Sequence, residues 1–321
     1  MRIYKKNKGI LLIENNLRIS LDTDDYDSHL SFISHAHADH LPKKVNRLYA
    51  SRETIALSKF RGLKYDSIIE EDRNLAMFDS GHILGSKSLL VNDKILYTGD
   101  ICVRERGYLK GAEAVNCKVL IIESTYGISY FKFPPLEEIL SETKRLIEKN
   151  LASGRHIALC GYELGKAQLL TYLFNNYKPL IIHDIIFEIN RIYRKLGIDL
   201  KDEDSIRLSE AETNGFLKKD PHVIILPMNP KYSREIKNKY KTVSIAFTGW
   251  SLIRKETNEY DFMFPLSDHS DFYELVDYVK KCNPELVATF HGYSREFAKY
   301  LKNLGFKAFE LNENEKLDSF S

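Results

Sequence analysis

Along the first 125 residues, short apolar runs alternate with turn-forming polar clusters: ILLI, LRISL, LSFIS, KSLLV, KILYTGD and KVLIIES. Each run is short and rich in Ile, Val, Leu or Tyr, which predicts a series of buried strands. From about residue 136 the period lengthens. LEEILSETKRLIEKNLASG places its apolar residues at helical spacing and closes on Gly154, so it predicts a helix. Strand-like and helix-like stretches then alternate: HIALC, a helix from about Gly165, PLIIHDI, a helix over IFEINRIYRKLG, HVIILP and TVSIAF. After Asp261 a strand–helix–strand–helix run ends in FKAFEL. The pattern predicts an α/β fold. There is no internal repeat, and the closing NENEKLDSFS reads as a frayed polar tail.

Composition narrows this picture only at a few points. A chain of 321 residues can bury a sizeable core, as one large domain or two moderate ones. Its formal charge of +2 is too small for a polyelectrolyte partner to be read from it, so any affinity for nucleic acid must come from a local patch. The best such patch is residues 231–255. Lys231, Arg234, Lys237, Lys239, Lys241, Arg254 and Lys255 stand there against Glu235, with Tyr232, Tyr240 and Trp250 interleaved, although short basic runs are also common on solvated faces. Cys102, Cys117, Cys160 and Cys282 form no C-x-x-C pair, which argues against a zinc ribbon or a disulfide framework and fits a reducing cytoplasm. The N-terminal apolar block GILLI is too short for a signal-peptide core, and no run approaches the ~18 residues of a membrane span. A soluble cytoplasmic protein is expected.

The densest chemistry lies in SFISHAHADHLPKK, residues 31–44, where three of the ten histidines fall beside Asp39. LSFIS delivers His35 to a strand end. His37 points the same way if the chain stays extended, and Asp39 and His40 follow where a helix could begin ahead of Pro42. Imidazoles with carboxylates are the ligand set of zinc, with manganese and iron as substitutes. Such a cluster also arises as a surface scavenger or by chance. Further candidates recur where apolar runs end: His82 in DSGHILGS, Asp100 in ILYTGD, Glu123 in LIIESTYG, His269 in PLSDHSD and His291 in ATFHGY. Strand ends are where sites gather in α/β sheets. Singly, each has a structural reading as a turn residue, a cap or a buried hydrogen-bonder; jointly they point to a metal centre.

In this order HAHADH, a lone His, a lone Asp, ESTYG, SDHSD and HGY resemble the metallo-β-lactamase nucleases of the β-CASP family, over nearly the whole chain. IIESTYGISYFKFP, CGYELGKAQLL, AFTGW and PLSDHSDF most resemble the small exonucleases associated with bacterial DNA ligases and their archaeal relatives. The resemblance implies a metallo-β-lactamase αββα sandwich with an inserted α/β β-CASP cap. The sandwich would occupy residues 1–130 and 263–321 and the cap 131–262. It also implies two divalent metal ions, zinc first and manganese as the alternative. His35, His37 and His82 would hold one, Asp39, His40 and His291 the other, and Asp100 would bridge them. Asp22, in RISLDTDD, would orient ligands from behind. Asp39, His269 and Glu123 are the catalytic residues it implies, with His269 the proton donor and Glu123 its orienting partner.

Two cations ~3.5–4 Å apart lower the pKa of a shared water toward ~7 and stabilise charge on phosphoryl oxygens. An acid that protonates the leaving 3′-oxygen adds ~10²–10⁴-fold. The implied function is therefore a metal-dependent phosphodiesterase on nucleic acid, a DNA exonuclease in DNA repair releasing 5′-phosphate products. The alternative is an RNA-processing endonuclease or 5′-3′ exoribonuclease with the same site. Family members that repair crosslinks carry valine at the position of His291, whereas RNA-processing and ligase-associated members carry histidine, so His291 does not choose RNA. HGY in place of the usual HGE departs slightly from the RNA-processing pattern.

A small-molecule lactonase or thioesterase would share HAHADH but not the later motifs, and an inactive binding subunit should have lost ligands that are all present. The partners implied are single-stranded DNA or RNA and DNA ligase or helicase repair proteins, with no membrane. Within the cap, Lys166 after Gly165 suits a phosphate at a helix start, or simply belongs to a packing helix. Trp250 and Lys241 are the other substrate-binding candidates. His156, His183 and His222 read as structural.

Overall fold

A computed structural model describes residues 1–14, 16–65, 72–254 and 258–311. The polar tail and Lys255 lie outside these described residues. The chain divides into two compact units, one made of Met1–Glu105, Leu109–Lys132 and His269–Ser321, the other of Arg106–Tyr108 and Phe133–Asp268. The mixed α/β character read from the apolar pattern holds in both.

The first unit carries two sheets. One has five strands in the order Arg2–Lys6, Gly9–Glu14, Leu17–Leu21, Leu30–Phe32 and Leu48–Tyr49, antiparallel at first and parallel from Leu17–Leu21 onward. The other has six, in the order Ala308–Glu310, Leu286–Phe290, Val119–Glu123, Ile95–Tyr97, Lys87–Val91 and Leu75–Asp79. Its central strands are parallel and read as unbroken apolar runs because both faces are covered. Alternate residues divide between two cores. Val119, Ile121, Leu286 and Ala288 pack toward Ile10, Leu12, Ile19 and Phe32 of the first sheet. Leu120, Ile122 and Val287 pack under the helices Phe272–Cys282 and Ser294–Asn303, through Phe272, Leu275, Val279, Phe297 and Leu301. Against the first sheet, Ile55 of the helix Arg52–Phe60 meets Ile33, Leu48 and Ala50.

Asp271, the second aspartate of SDHSD, has a local task. It caps Phe272–Cys282 in a capping box, its side chain accepting from the Glu274 N–H at 3.0 Å while Glu274 Oε2 accepts from the Asp271 N–H at 2.8 Å. That cap fixes where the helix starts, three residues after His269.

The second unit is a six-stranded parallel sheet in the order Ile206–Arg207, Ile181–Ile182, Val223–Pro227, His156–Gly161, Thr242–Phe247 and Phe262–Phe264. Ile157 and Leu159 face the helices Leu136–Ala152, Lys166–Leu173 and Asp184–Lys195, while Ala158 and Cys160 face Leu208–Thr213 and Pro230–Lys239. This is a doubly wound arrangement. All four cysteines are buried free thiols. Among the described residues no helix is long and apolar enough to cross a membrane.

Candidate metal centre

Three parallel strands of the six-stranded sheet in the first unit end in register, Phe290 opposite Glu123 and Tyr97 opposite Ile121. Asp100, Glu123 and His291 are thus delivered to one edge. Leu75–Asp79 is antiparallel to Lys87–Val91, itself antiparallel to Ile95–Tyr97, so it runs the same way and brings His82 to that edge too. In the five-stranded sheet, Leu17–Leu21 and Leu30–Phe32 are parallel, and Asp22 and His35 follow their ends. The helix that could begin at Asp39 is instead a single turn, closed by His40 N–H to His37 O at 3.0 Å.

His35 Nε2 and His82 Nε2 each lie 3.1 Å from His37 Nδ1, and Asp100 Oδ2 lies 3.5 Å and 3.6 Å from His35 Nε2 and His82 Nε2. Zinc bonds of ~2.05 Å in a tetrahedron require ligand atoms ~3.3 Å apart, so this spacing fits one ion. His40 Nε2 stands 3.4 Å from the same Asp100 oxygen, and His40, Asp100 and His291 form a second converging group. Asp100 Oδ1 is buried with no hydrogen-bond partner among the described residues. An orphaned carboxylate oxygen among imidazoles is a place for a cation. Asp39 stands at the rim, its side chain 64% exposed and its Oδ2 3.8 Å from His40 Nε2.

The electrostatics agree with this geometry. Burial, then the neighbouring imidazoles, push His35 well below its ordinary pKa, and burial likewise lowers His291. Burial would also lower His40, but Asp100 and Asp22 outweigh it and raise the imidazole to about 10. The carboxylates around His40 call for positive charge. Partial desolvation at the rim works to raise the Asp39 carboxyl, yet His40, the Asp39 backbone amide and His37 bring it below its usual range.

Behind the ligands, Asp22 accepts from Ser34 N–H at 2.7 Å, Ser34 Oγ–H at 2.5 Å, His40 Nδ1–H at 2.9 Å and Tyr97 O–H at 2.8 Å. Beside them, Glu123 Oε1 accepts from His269 Nδ1–H at 2.8 Å and from Ile101 N–H at 3.2 Å, while Oε2 accepts from Thr125 N–H at 2.8 Å. Burial works against the Glu123 charge, but His269 and Thr125 hold its carboxyl below the usual range. Asp22 and His291 both adopt positive φ, at 54° and 59°. Such strain, about 1–3 kcal/mol each, gathers at functional sites.

The structure therefore brings together His35, His37, His82, Asp100, His40 and His291, backs them with Asp22, and sets Glu123 and His269 beside them. The substrate-binding candidates do not gather in the same way. Lys166 is 1% exposed and its Nζ lies 2.8 Å from Asp268 Oδ1, which also accepts from Arg106 at 2.6 Å. Lys241 is exposed at the start of the strand Thr242–Phe247 and half-buried Trp250 follows its end, roughly 20 Å apart along the strand. Within the basic stretch, Lys237 pairs with Asp261 at 2.7 Å and Lys239 with Glu212 at 3.0 Å. His156 links Leu217 O to His222 N–H, and His183 caps Asp184–Lys195. Ser34, Tyr97 and Thr125 are members of the site to which the sequence assigned no role, although Thr125 stands within ESTYG.

Fold and site define an α/β protein with a histidine–aspartate cluster suited to divalent metal. Its relatives place it further. It is 28% identical over 305 residues to "Probable DNA ligase" of Opitutus terrae, covering 90% of this chain and 29% of that one. It is 27% identical to "Probable RNase MJ4" of Methanocaldococcus jannaschii, covering 76% and 66%, and 24% identical to "RNase J-like protein" of the same organism, covering 84% and 82%. The chain thus spans less than a third of the ligase-named relative. The fold matches a crystal structure of a protein of unknown function from Enterococcus faecalis with a TM-score of 0.65 and 14% identity, over 98% of both chains. No protein-family model matches. The chain is a relative of the metallo-β-lactamase nucleases of the β-CASP family.

Proposed function

We propose that this chain is a metal-dependent nuclease that hydrolyses phosphodiester bonds in DNA, as an exonuclease working in DNA repair in the cytoplasm. The observation that carries the reading is the convergence of His35, His37, His82 and Asp100 at ligand spacing, with the Glu123–His269 pair alongside. We read the layered first unit as the αββα sandwich of the family and the doubly wound unit as its cap.

When bound, two divalent ions, zinc by this ligand set, would activate water and stabilise charge on the phosphoryl oxygens. His35, His37 and His82 would hold one, Asp39, His40 and His291 the other, and Asp100 both. Glu123 accepts the Nδ1–H of His269, which fixes the ring and leaves Nε2 as the nitrogen that can donate to a departing 3′-oxygen. The carboxylate also favours the charged imidazolium that such donation requires. Products would carry 5′-phosphate and 3′-hydroxyl ends.

Two observations favour DNA: the ligase-named relative matches 90% of this chain, and HGY stands in place of HGE. RNA processing is the second reading, favoured by the two archaeal relatives with RNase names. The partner in either case is a single strand, and a DNA ligase is the proposed protein partner.

The test is cleavage of matched single-stranded DNA and RNA oligonucleotides, labelled at either end and with or without a 5′-phosphate, by zinc- or manganese-loaded protein. An Asp39→Ala, His40→Ala double variant controls for contaminating nuclease. Stepwise shortening of DNA, absent in the variant, is the expected result. Cleavage confined to RNA would move the protein to the processing reading, and no cleavage of either by two-metal protein would overturn the nuclease reading.

A further inference from the structure

We propose that Ser34 is a positioning residue whose hydroxyl sets the tautomer of His35 and, through Asp22, locks the ligands of both metal half-sites into one hydrogen-bonded unit. The inference rests on the metal-site reading above and deepens it.

The argument turns on a single proton. Ser34 Oγ lies 2.5 Å from Asp22 Oδ2 and 2.9 Å from His35 Nδ1. A hydroxyl has one hydrogen to give, and a carboxylate can only accept. Turning that hydrogen toward His35 would leave two oxygens facing each other at 2.5 Å with no proton between them. The hydrogen therefore belongs to Asp22, and Ser34 Oγ accepts from His35. His35 Nδ1 must then carry the hydrogen, which leaves the lone pair on Nε2, the nitrogen facing His37 Nδ1 and Asp100 Oδ2.

The same Asp22 oxygen accepts from His40 Nδ1, so the opposite nitrogen of His40, Nε2, is the one turned to Asp100 at 3.4 Å. One carboxylate thus orients an imidazole on each side of Asp100, directly for His40 and through Ser34 for His35. Tyr97 O–H and Ser34 N–H bring Asp22 to four donors, about the full acceptor capacity of a carboxylate. Asp22, Ser34, His35, His40 and Tyr97 are each at most 3% exposed, so water cannot replace a missing partner. Alanine at position 34 would leave His35 Nδ1 without its acceptor and free the ring to move its proton to Nε2, where it would block metal.

The test uses the full chain with ¹⁵N-labelled histidine, metal-free for ring-nitrogen NMR and then titrated with zinc against a chromophoric chelator. Wild type should show His35 protonated at Nδ1 and bind two zinc ions. In Ser34→Ala, His35 should become a mixture of tautomers and one of the two zinc affinities should fall about 10–100-fold, the other less. Tyr97→Phe, which takes a donor from Asp22 without touching the relay, should keep the His35 tautomer. A Ser34→Ala chain with wild-type tautomer and both affinities intact would overturn the role given to Ser34 while leaving the metal site standing. If that variant does not fold, an Nε2-protonated His35 in wild type overturns the role just as directly. A wild-type chain that binds no zinc overturns the metal-site reading itself.

Discussion

Asp25 is almost sealed from solvent and draws in Arg18, through Nε at 2.7 Å and NH2 at 2.9 Å, the Ser28 hydroxyl at 2.5 Å, and Lys6. Chiefly through Arg18, and despite burial, its carboxyl is held far below the usual range. A depressed carboxylate stabilises the fold above its unfolded pKa of ~3.9, and that contribution is lost as pH falls toward the folded value. Asp25→Asn should therefore cost about 2–4 kcal/mol at neutral pH, with the gap to wild type narrowing below pH ~4, as urea denaturation at each pH would report. His269→Ala should keep its metal content yet lose ~10²–10⁴ in single-turnover cleavage. Metal analysis and rapid-quench kinetics on the same sample separate the two. The candidate ligands were legible in the sequence because few residue types bind metal and they recur at the ends of apolar runs. Ser34 and Tyr97 were not, because the hydroxyl of each acts on Asp22, 12 and 75 positions away, and only folding makes those pairs. Lys166 illustrates the converse: a cation at a helix start looks available until Asp268, 102 positions on, is placed against it.

Among the elements, the central strands and the longer helices were readable because burial of a whole strand or of one helix face writes itself as period. The strand Arg2–Lys6 was not, since of RIYKK only Ile3 is buried. The helix Pro230–Lys239 lies inside what charge describes as a basic patch; it buries only Ser233 and Ile236, so its period is faint, although Asn229 and Pro230 supply a cap and a first-turn proline. The loop after Leu286–Phe290 shows what a pattern cannot convey. Gly292 sits at φ +54°, and a Cβ there would lie 2.4 Å from Thr125 Cα and 2.5 Å from Ser124 O, while Ser124 Oγ–H contacts the carbonyls of Phe290 and His291 at 2.8 Å each. Gly292→Ala should push the His291 loop off its seat, costing roughly 2 kcal/mol or more and weakening the second metal. Gly154→Ala, at φ +70° but with nothing within 4 Å, should cost only about 1 kcal/mol and leave both metals bound. Chemical denaturation with zinc titration of the two variants checks the contrast.

For the molecule as a whole, the two units have separate cores, and every candidate ligand belongs to the first. A ligand that binds only the folded state stabilises what it touches, by ~2.7 kcal/mol at a free concentration 100 times its Kd. Zinc should therefore slow amide exchange where strands lead into the site, at Leu30–Phe32, Ile95–Tyr97, Val119–Glu123 and Leu286–Phe290. The parallel strands His156–Gly161, Val223–Pro227 and Thr242–Phe247 contribute no ligand and should exchange at an unchanged rate. Hydrogen exchange read by mass spectrometry, with a chelator to reverse the effect, makes the comparison within one sample. Equal protection in both sheets would mean that the metal steadies the chain through something other than the imidazoles and Asp100, and the assignment of ligands would have to be redrawn. Protection confined to the first unit would tie the binding energy to the residues that hold the ion and leave the second unit's sheet available for work that does not depend on the metal.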